Sequence, residues 1–171
     1  MSEQRTHFDL VVIGGGPGGY ASALYGSAAG MDVALVEMSK IGGTCLHVGC
    51  IPAKELLETA SVLRTVRHAG EFGVNTSEAT LDLSKTMERK QSVIDQLTKG
   101  VVGLLDRREV TIFNGIGSLS ANRKIKIQAT DGSKTHITGD NIILASGSKP
   151  RTIPGFEIDG DLILTSEELL S

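Results

Sequence analysis

LVVIGGGPGGYASALYGSAAG, residues 10–30, begins as an apolar, β-branched run and passes through six residues of glycine and proline into small residues at helical spacing. Phe8 to Ile13 has the length and composition of a buried strand, and Tyr20, Ala23, Leu24 and Ala28 recur at helical intervals up to Gly30. Asp32 to Val36 is a second buried strand, ending at Glu37. Gly14, Gly16 and Gly19 stand in G-x-G-x-x-G spacing between the first strand and the helix. In that pattern the first glycine turns the chain, the second lets a pyrophosphate approach the backbone, and the third lets the helix pack on the strand. The free N–H groups and dipole of the helix N-terminus favour the anion. An acid at the end of the second strand, here Glu37, accepts from ribose hydroxyls. A lone glycine match is an ordinary turn more often than a site, but the strand, helix, second strand and terminal acid all follow, so the unit is expected to bind a dinucleotide. FAD and NAD share the features it reads.

The same stretch could pass for a membrane span in a crude hydropathy scan, yet its seven glycines and Pro17 argue against one, and no membrane association is expected. With 171 residues, 40% hydrophobic and 22% charged, the chain can bury one ordinary core, as one domain or part of a larger one. A net charge of −3 provides no general basic field for nucleic acid. The start, MSEQRTHFDL, lacks the apolar core of an export signal, which makes the reducing cytoplasm the expected setting, where a structural disulfide would not persist.

Both cysteines stand in GGTCLHVGC, residues 42–50, soon after Glu37. A straight helix holds residues five apart about 8 to 9 Å from each other at Cα, beyond disulfide range. Cys45 and Cys50 can therefore bond only across a distorted turn, with Pro52 near the first turn of the regular helix beyond. Such a strained, accessible disulfide is the labile kind. Cys45, His47 and Cys50 also offer three zinc ligands, but a structural site needs four, and His68 is a long helical stretch away. A turn that merely contains cysteines is the bland alternative.

Beyond the loop, Leu56, Leu57, Ala60, Leu63 and Val66 form one helical stripe, and Leu83, Met87, Ile94, Leu97, Val101 and Leu104 another, to about Arg107; core packing is the default for both. Glu109 to Phe113 returns to strand. Lys124 to Gln128 and Lys134 to Ile137 form a hairpin around Asp131-Gly132, and Asn141 to Ala145 is a further central strand. His7, His68 and His136 show no partner pattern, and Gly117 reads as a turn glycine.

Taken together, GGGPGGY, GGTCLHVGCIPAK and ILASGSKP resemble the disulfide-active flavoprotein reductases, that is, the class I pyridine nucleotide-disulfide oxidoreductases, and most closely their dihydrolipoamide dehydrogenase branch. The likeness covers essentially the whole chain, and C-x4-C-x-P-x-K is a highly specific motif. His47 stands where the family usually has Asn, Ala53 where Ser is common, and Ser146 where its A-T-G has Thr. The resemblance implies an α/β fold: a Rossmann-like FAD-binding domain with a parallel sheet and a small antiparallel β meander. It implies FAD over a Cys45–Cys50 redox disulfide, with Cys45 as the interchange thiol and Cys50 facing the flavin, where the reduced enzyme has a charge-transfer thiolate. It places Lys54 near the flavin and puts Gly43, Thr44, Gly117, Ala145, Ser146 and Gly147 against the cofactor. No metal is implied.

On the same resemblance, residues 1–171 correspond to a truncated, N-terminal part of the FAD domain. The parent would pass electrons from a dihydrolipoyl group to NAD+, act as a homodimer, and serve the dihydrolipoyl-bearing acyltransferase of a 2-oxoacid dehydrogenase complex. No second G-x-G-x-x-G, and no His-Glu dyad of the family's interface domain, occurs in these residues. Gly139-Asp140 and Gly160-Asp161 imitate a later family G-D pair and are read as turns. Thr165 and Glu168 form a capping-box pattern at the start of a last helix. Glutathione or mercuric reductase types, a nucleotide-binding module without turnover, and an NAD-dependent dehydrogenase domain with incidental cysteines are the competing readings.

Overall fold

A computed structural model describes residues 5–171. The run at LVVI does not alternate apolar with polar residues because its strand is covered on both faces. It lies in β1 (His7–Ile13), followed by α1 (Pro17–Ala28) and β2 (Val33–Glu37). Next come α2 (Gly43–Val48), α3 (Cys50–Arg67) and α4 (Leu83–Arg107). Four strands, β3 (Thr111–Asn114), β4 (Ile116–Leu119), β5 (Lys124–Gln128) and β6 (Lys134–Leu144), precede α5 (Ser166–Leu170). The chain divides into two units: one holds the N-terminal stretch through Cys45 with Thr98–Arg151, the other Leu46–Leu97 with Thr152–Ser171.

In the first unit a six-stranded sheet runs β3-β2-β1-β6-β5-β4. β1 pairs in parallel with β2 and β6, and β2 with β3, while β4, β5 and the start of β6 form an antiparallel meander. One face carries Phe8, Val11, Ile13, Ala34 and Val36 packed with the meander's Ile125, Ile127 and Ile137. The opposite face carries Leu10, Val12, Val33 and Leu35 packed with Ala23 of α1 and Leu105 of α4. Helix α1 lies close because its buried positions are small, Gly19, Ala23 and Gly26 at successive turns. A Cβ on Gly26 would stand 2.7 Å from the Leu10 side chain. Phe8 is 1% exposed and meets Phe113 edge to face, ring centroids 5.9 Å apart. Phe8→Ala should therefore cost about 3–5 kcal/mol of stability, read as a lower urea midpoint at unchanged slope.

The structure corrects several expectations. Gly139-Asp140 is not a turn; it lies within β6, so the expected hairpin strand and central strand are one. β6 changes partner at Thr138, pairing with Lys124 of β5 on one side and His7 of β1 on the other. Gly139 permits the crossing, since a Cβ there would come 2.7 Å from Val11 Cγ2. Gly117 also lies in a strand, β4, and Glu109 belongs to the turn that closes α4, with φ 56° and its N–H on the Asp106 carbonyl. The Asp131-Gly132 turn is present. The Ser133 hydroxyl and N–H hold the Asp131 carboxyl below the usual carboxylate range. His7 and His68, though largely exposed, do have partners: Thr138 and Asp140 for the first, Glu71 for the second.

In the second unit the covered face of α3 holds Pro52, Glu55, Leu56, Thr59, Leu63 and Val66. Leu57, 68% exposed, and Ala60 depart from the expected core stripe, because one residue along a helix is a rotation of about 100°. The stripe on α4 is likewise incomplete: Ile94 is buried, whereas Leu83, Leu97 and Leu104 are exposed. Arg89 pairs with Glu55 at 3.1 Å, and buried Lys90 donates to the Leu170 carbonyl at 2.6 Å. The expected capping box is formed at Thr165 and Glu168. Gly160-Asp161 is a bend, as expected, over which Asp159 accepts the N–H groups of Asp161, Leu162 and Ile163.

Candidate active site

The three fingerprint glycines have three separate causes. Gly14, at φ 105°, ends β1 against the segment after β6, and a Cβ there would overlap the Ala145 carbonyl. A Cβ on Gly19 would overlap the Gly14 carbonyl, so only glycine lets α1 start so close to the strand. A Cβ on Gly16 would meet only Gly43 Cα, at 3.9 Å, with open space around it. Gly16 is also the N-cap of α1, with no side-chain cap and no acid in the first turn. The result is an open backbone cradle at a helix N-terminus, the arrangement a pyrophosphate requires. The residues present thus fit a dinucleotide.

Glu37, 8% exposed, stands at the end of β2 as expected. Its Oε2 accepts the Gly15 N–H at 2.6 Å and its Oε1 the Ser39 N–H at 2.7 Å. These two bonds, invisible in the sequence pattern, fix the carboxylate beside the glycine turn and leave each oxygen a further lone pair for a hydroxyl donor. Ala145 donates its N–H to the Ile13 carbonyl, bringing the ILASG segment to the same strand ends. Ser146 and Gly147 continue it in exposed positions, Gly147 at φ 71°. Gly117 packs the meander onto the sheet: Ile13 and Val36 each come within 3.1 Å of the position a Cβ would take.

The cysteine loop joins the glycine turn directly. Gly42 donates to the Gly15 carbonyl at 2.8 Å, and Gly43, at φ 58°, is so close that a Cβ there would lie 2.7 Å from Gly16 Cα. Thr44 beside it is exposed. Cys45 and Cys50 are disulfide-bonded. The bond spans a break between helices: Cys45 lies in α2, Cys50 opens α3, and Gly49 between them has φ −142° and ψ −107°. That is the distorted turn the spacing demanded, and it occupies both sulfurs the zinc reading needed. Cys45 is half-buried and Cys50 exposed; Lys54, one turn along α3, is exposed too. Among the described residues no group of three His, Cys, Asp or Glu side chains could hold a metal ion, and no helix is long and apolar enough to cross a membrane. A groove of about 460 Å³, lined by Val62, Leu63 and Leu81 among others, lies further along α3 and contains none of these site residues.

Residues 8–171 match the family model described as pyridine nucleotide-disulphide oxidoreductase. The chain belongs to that family. Within it, the chain is 44% identical over 163 residues to a dihydrolipoyl dehydrogenase of Chlorobaculum parvum, a match that covers 95% of this chain and 35% of that protein. A Bacillus subtilis dihydrolipoyl dehydrogenase is 40% identical over 173 residues, covering 96% of this chain and 36% of its own length. The crystal structure of LpdA from Mycobacterium tuberculosis superposes with a TM-score of 0.86 at 26% identity, over 97% of this chain and 37% of that one. The chain therefore spans about a third of the length of the curated relatives it matches. The mixed, mostly parallel sheet matches the FAD-binding, Rossmann-like fold of the family.

Proposed function

We propose that these residues form the N-terminal part of the FAD-binding domain of a dihydrolipoyl dehydrogenase. One observation carries the reading: a redox-capable disulfide begins two residues from a glycine whose backbone touches the pyrophosphate cradle. The N–H groups at Gly16 and the first turn of α1 would hold the FAD diphosphate and Glu37 a ribose hydroxyl. Gly43, Thr44, the Gly117 backbone and Ala145 to Gly147 would hold the remainder along the strand ends. Bound there, FAD would supply a two-electron acceptor. Lys54 would offer a cation one turn from Cys50, favouring its thiolate.

The protein's own chemistry is thiol–disulfide exchange. A substrate thiolate attacks Cys45 Sγ, the Cys45–Cys50 bond breaks, and Cys50 leaves as thiolate. The second substrate thiolate then attacks the mixed disulfide and releases Cys45, so the substrate leaves as a cyclic disulfide, having given up two electrons and two protons. In the longer parent the electrons would pass to NAD+. A homodimer in the cytoplasm, working on the dihydrolipoyl group of an acyltransferase in a 2-oxoacid dehydrogenase complex, completes the proposal.

The described residues contain one dinucleotide fold, so nothing here would hold NAD+ against a flavin. Positioning of reactants accounts for about 7–11 kcal/mol of a barrier. The purified 171-residue chain, given FAD, dihydrolipoamide and NAD+, should therefore form NADH no faster than free FAD does. Turnover like that of an intact homologous enzyme, with contaminants excluded by mass spectrometry, would overturn the assignment of these residues to part of one domain.

A further inference from the structure

The contact between Gly43 and Gly16 leaves no room for a Cβ on Gly43. Two backbones meet where even one methyl group would have to displace a Cα, and Gly42 N–H on the Gly15 carbonyl ties the same two loops together. The cradle rim at Gly16 therefore abuts Gly43. Gly43 in turn begins α2, a helix of six residues. Isolated helices shorter than about 12–15 residues are marginal in water, so α2 depends on its buried Leu46 and on its backbone and covalent ties. At one end it is held by the glycine contact. The Cys45–Cys50 bond ties its third residue to the first residue of α3 across the break at Gly49.

We propose that this arrangement couples the two sites through backbone alone: the redox state of Cys45–Cys50 sets the geometry of the Gly16 cradle, with Gly43 as the positioning residue between them. The proposal rests on the reading of the glycine turn as a nucleotide cradle. With the disulfide closed, α2 is pinned and Gly43 holds Gly16 in its open arrangement. Reduction adds two electrons and two protons, frees the span at Gly49, and lets Gly43 drift, so the cradle loses its fixed rim. A diphosphate then binds the oxidised protein more tightly. By linkage, a diphosphate in the cradle stabilises the disulfide by the same factor.

ADP tests this cleanly, since it carries the adenosine and diphosphate of FAD without the ring, and no ring contact with Cys50 can produce the effect. Flavin-free protein is titrated with ADP by calorimetry, before and after reduction by dithiothreitol, which leaves as its cyclic disulfide. The expected result is about five- to tenfold tighter binding by the oxidised form. Saturating ADP should correspondingly lower the disulfide's reduction potential, by about 30 mV for a tenfold ratio. Gly43→Ala, strained at its positive φ and pressed on Gly16, should bind ADP weakly and with no dependence on redox state. Should that variant not fold, the double variant Cys45→Ser, Cys50→Ser carries the test: it should bind ADP as the reduced protein does, with or without dithiothreitol. Affinities of the two redox forms that agree within about twofold would overturn the coupling while leaving the nucleotide site standing. Failure of both forms to bind ADP would remove the nucleotide reading and the coupling with it.

Discussion

Gly16→Val should fold normally and lose its flavin. The position has φ −70°, which any L-residue adopts, and its Cβ would meet nothing nearer than Gly43 Cα at 3.9 Å. The side chain instead fills the space a diphosphate must enter. Hydrogen bonds to a charged group contribute about 1.5–3 kcal/mol each. Losing two of them weakens FAD binding by roughly 10² to 10⁴-fold. The thermal midpoint of the flavin-free protein should stay close to the parent value. Gly14→Ala and Gly19→Ala should do the reverse, reducing stability even without flavin, because their methyl groups collide with the Ala145 and Gly14 carbonyls. Equilibrium dialysis with FAD and a urea melt separate the two classes. Full flavin content in Gly16→Val would show that the site is elsewhere.

On the proposed function, Cys45→Ser and Cys50→Ser should each abolish dithiol oxidation in a protein that carries these residues together with the family's remaining domains, because neither variant can form the disulfide that accepts the substrate's electrons. The rate should fall to that of flavin without cysteines. The two variants should nevertheless look different. Cys45→Ser retains the sulfur assigned to the flavin side, so its thiolate should give a long-wavelength absorbance band beside oxidised flavin, and Cys50→Ser should lack that band. Visible spectra across a pH titration check this. Equal loss of the band in both variants would contradict the division of roles between the two cysteines.

What the sequence made legible was local. Gly14, Gly16 and Gly19 show their spacing within six residues, although Gly14 answers to the distant Ala145 carbonyl; Glu37 follows its own strand, and the Cys45–Cys50 spacing already demanded a break in the helix, which Gly49 supplies. What stayed hidden depended on distant partners. Gly139 has the look of a turn until Val11 is seen against it, and so does Gly117 until Ile13 and Val36 are seen packed where its side chain would be. Leu57 satisfied a helical stripe, but the neighbours of α3 cover the face of Pro52 and Leu63 instead. The contact of Gly43 with Gly16 joins residues 27 positions apart, and periodicity carries no signal for it. The bonds from Gly15 and Ser39 to Glu37 are backbone donations, which no residue type announces.

On the proposed function, one chain holds a flavin and a disulfide that exchange electrons. Anaerobic titration of the FAD-loaded protein with dithionite, followed by flavin absorbance and by thiol counting, distinguishes this from a flavin alone. Flavin and disulfide are each two-electron couples. Full reduction should therefore take four electrons per bound FAD and yield two new thiols, whereas the Cys45→Ser, Cys50→Ser protein should take only two electrons. Full reduction of the unsubstituted protein after two electrons, with the disulfide intact, would show that the disulfide takes no part.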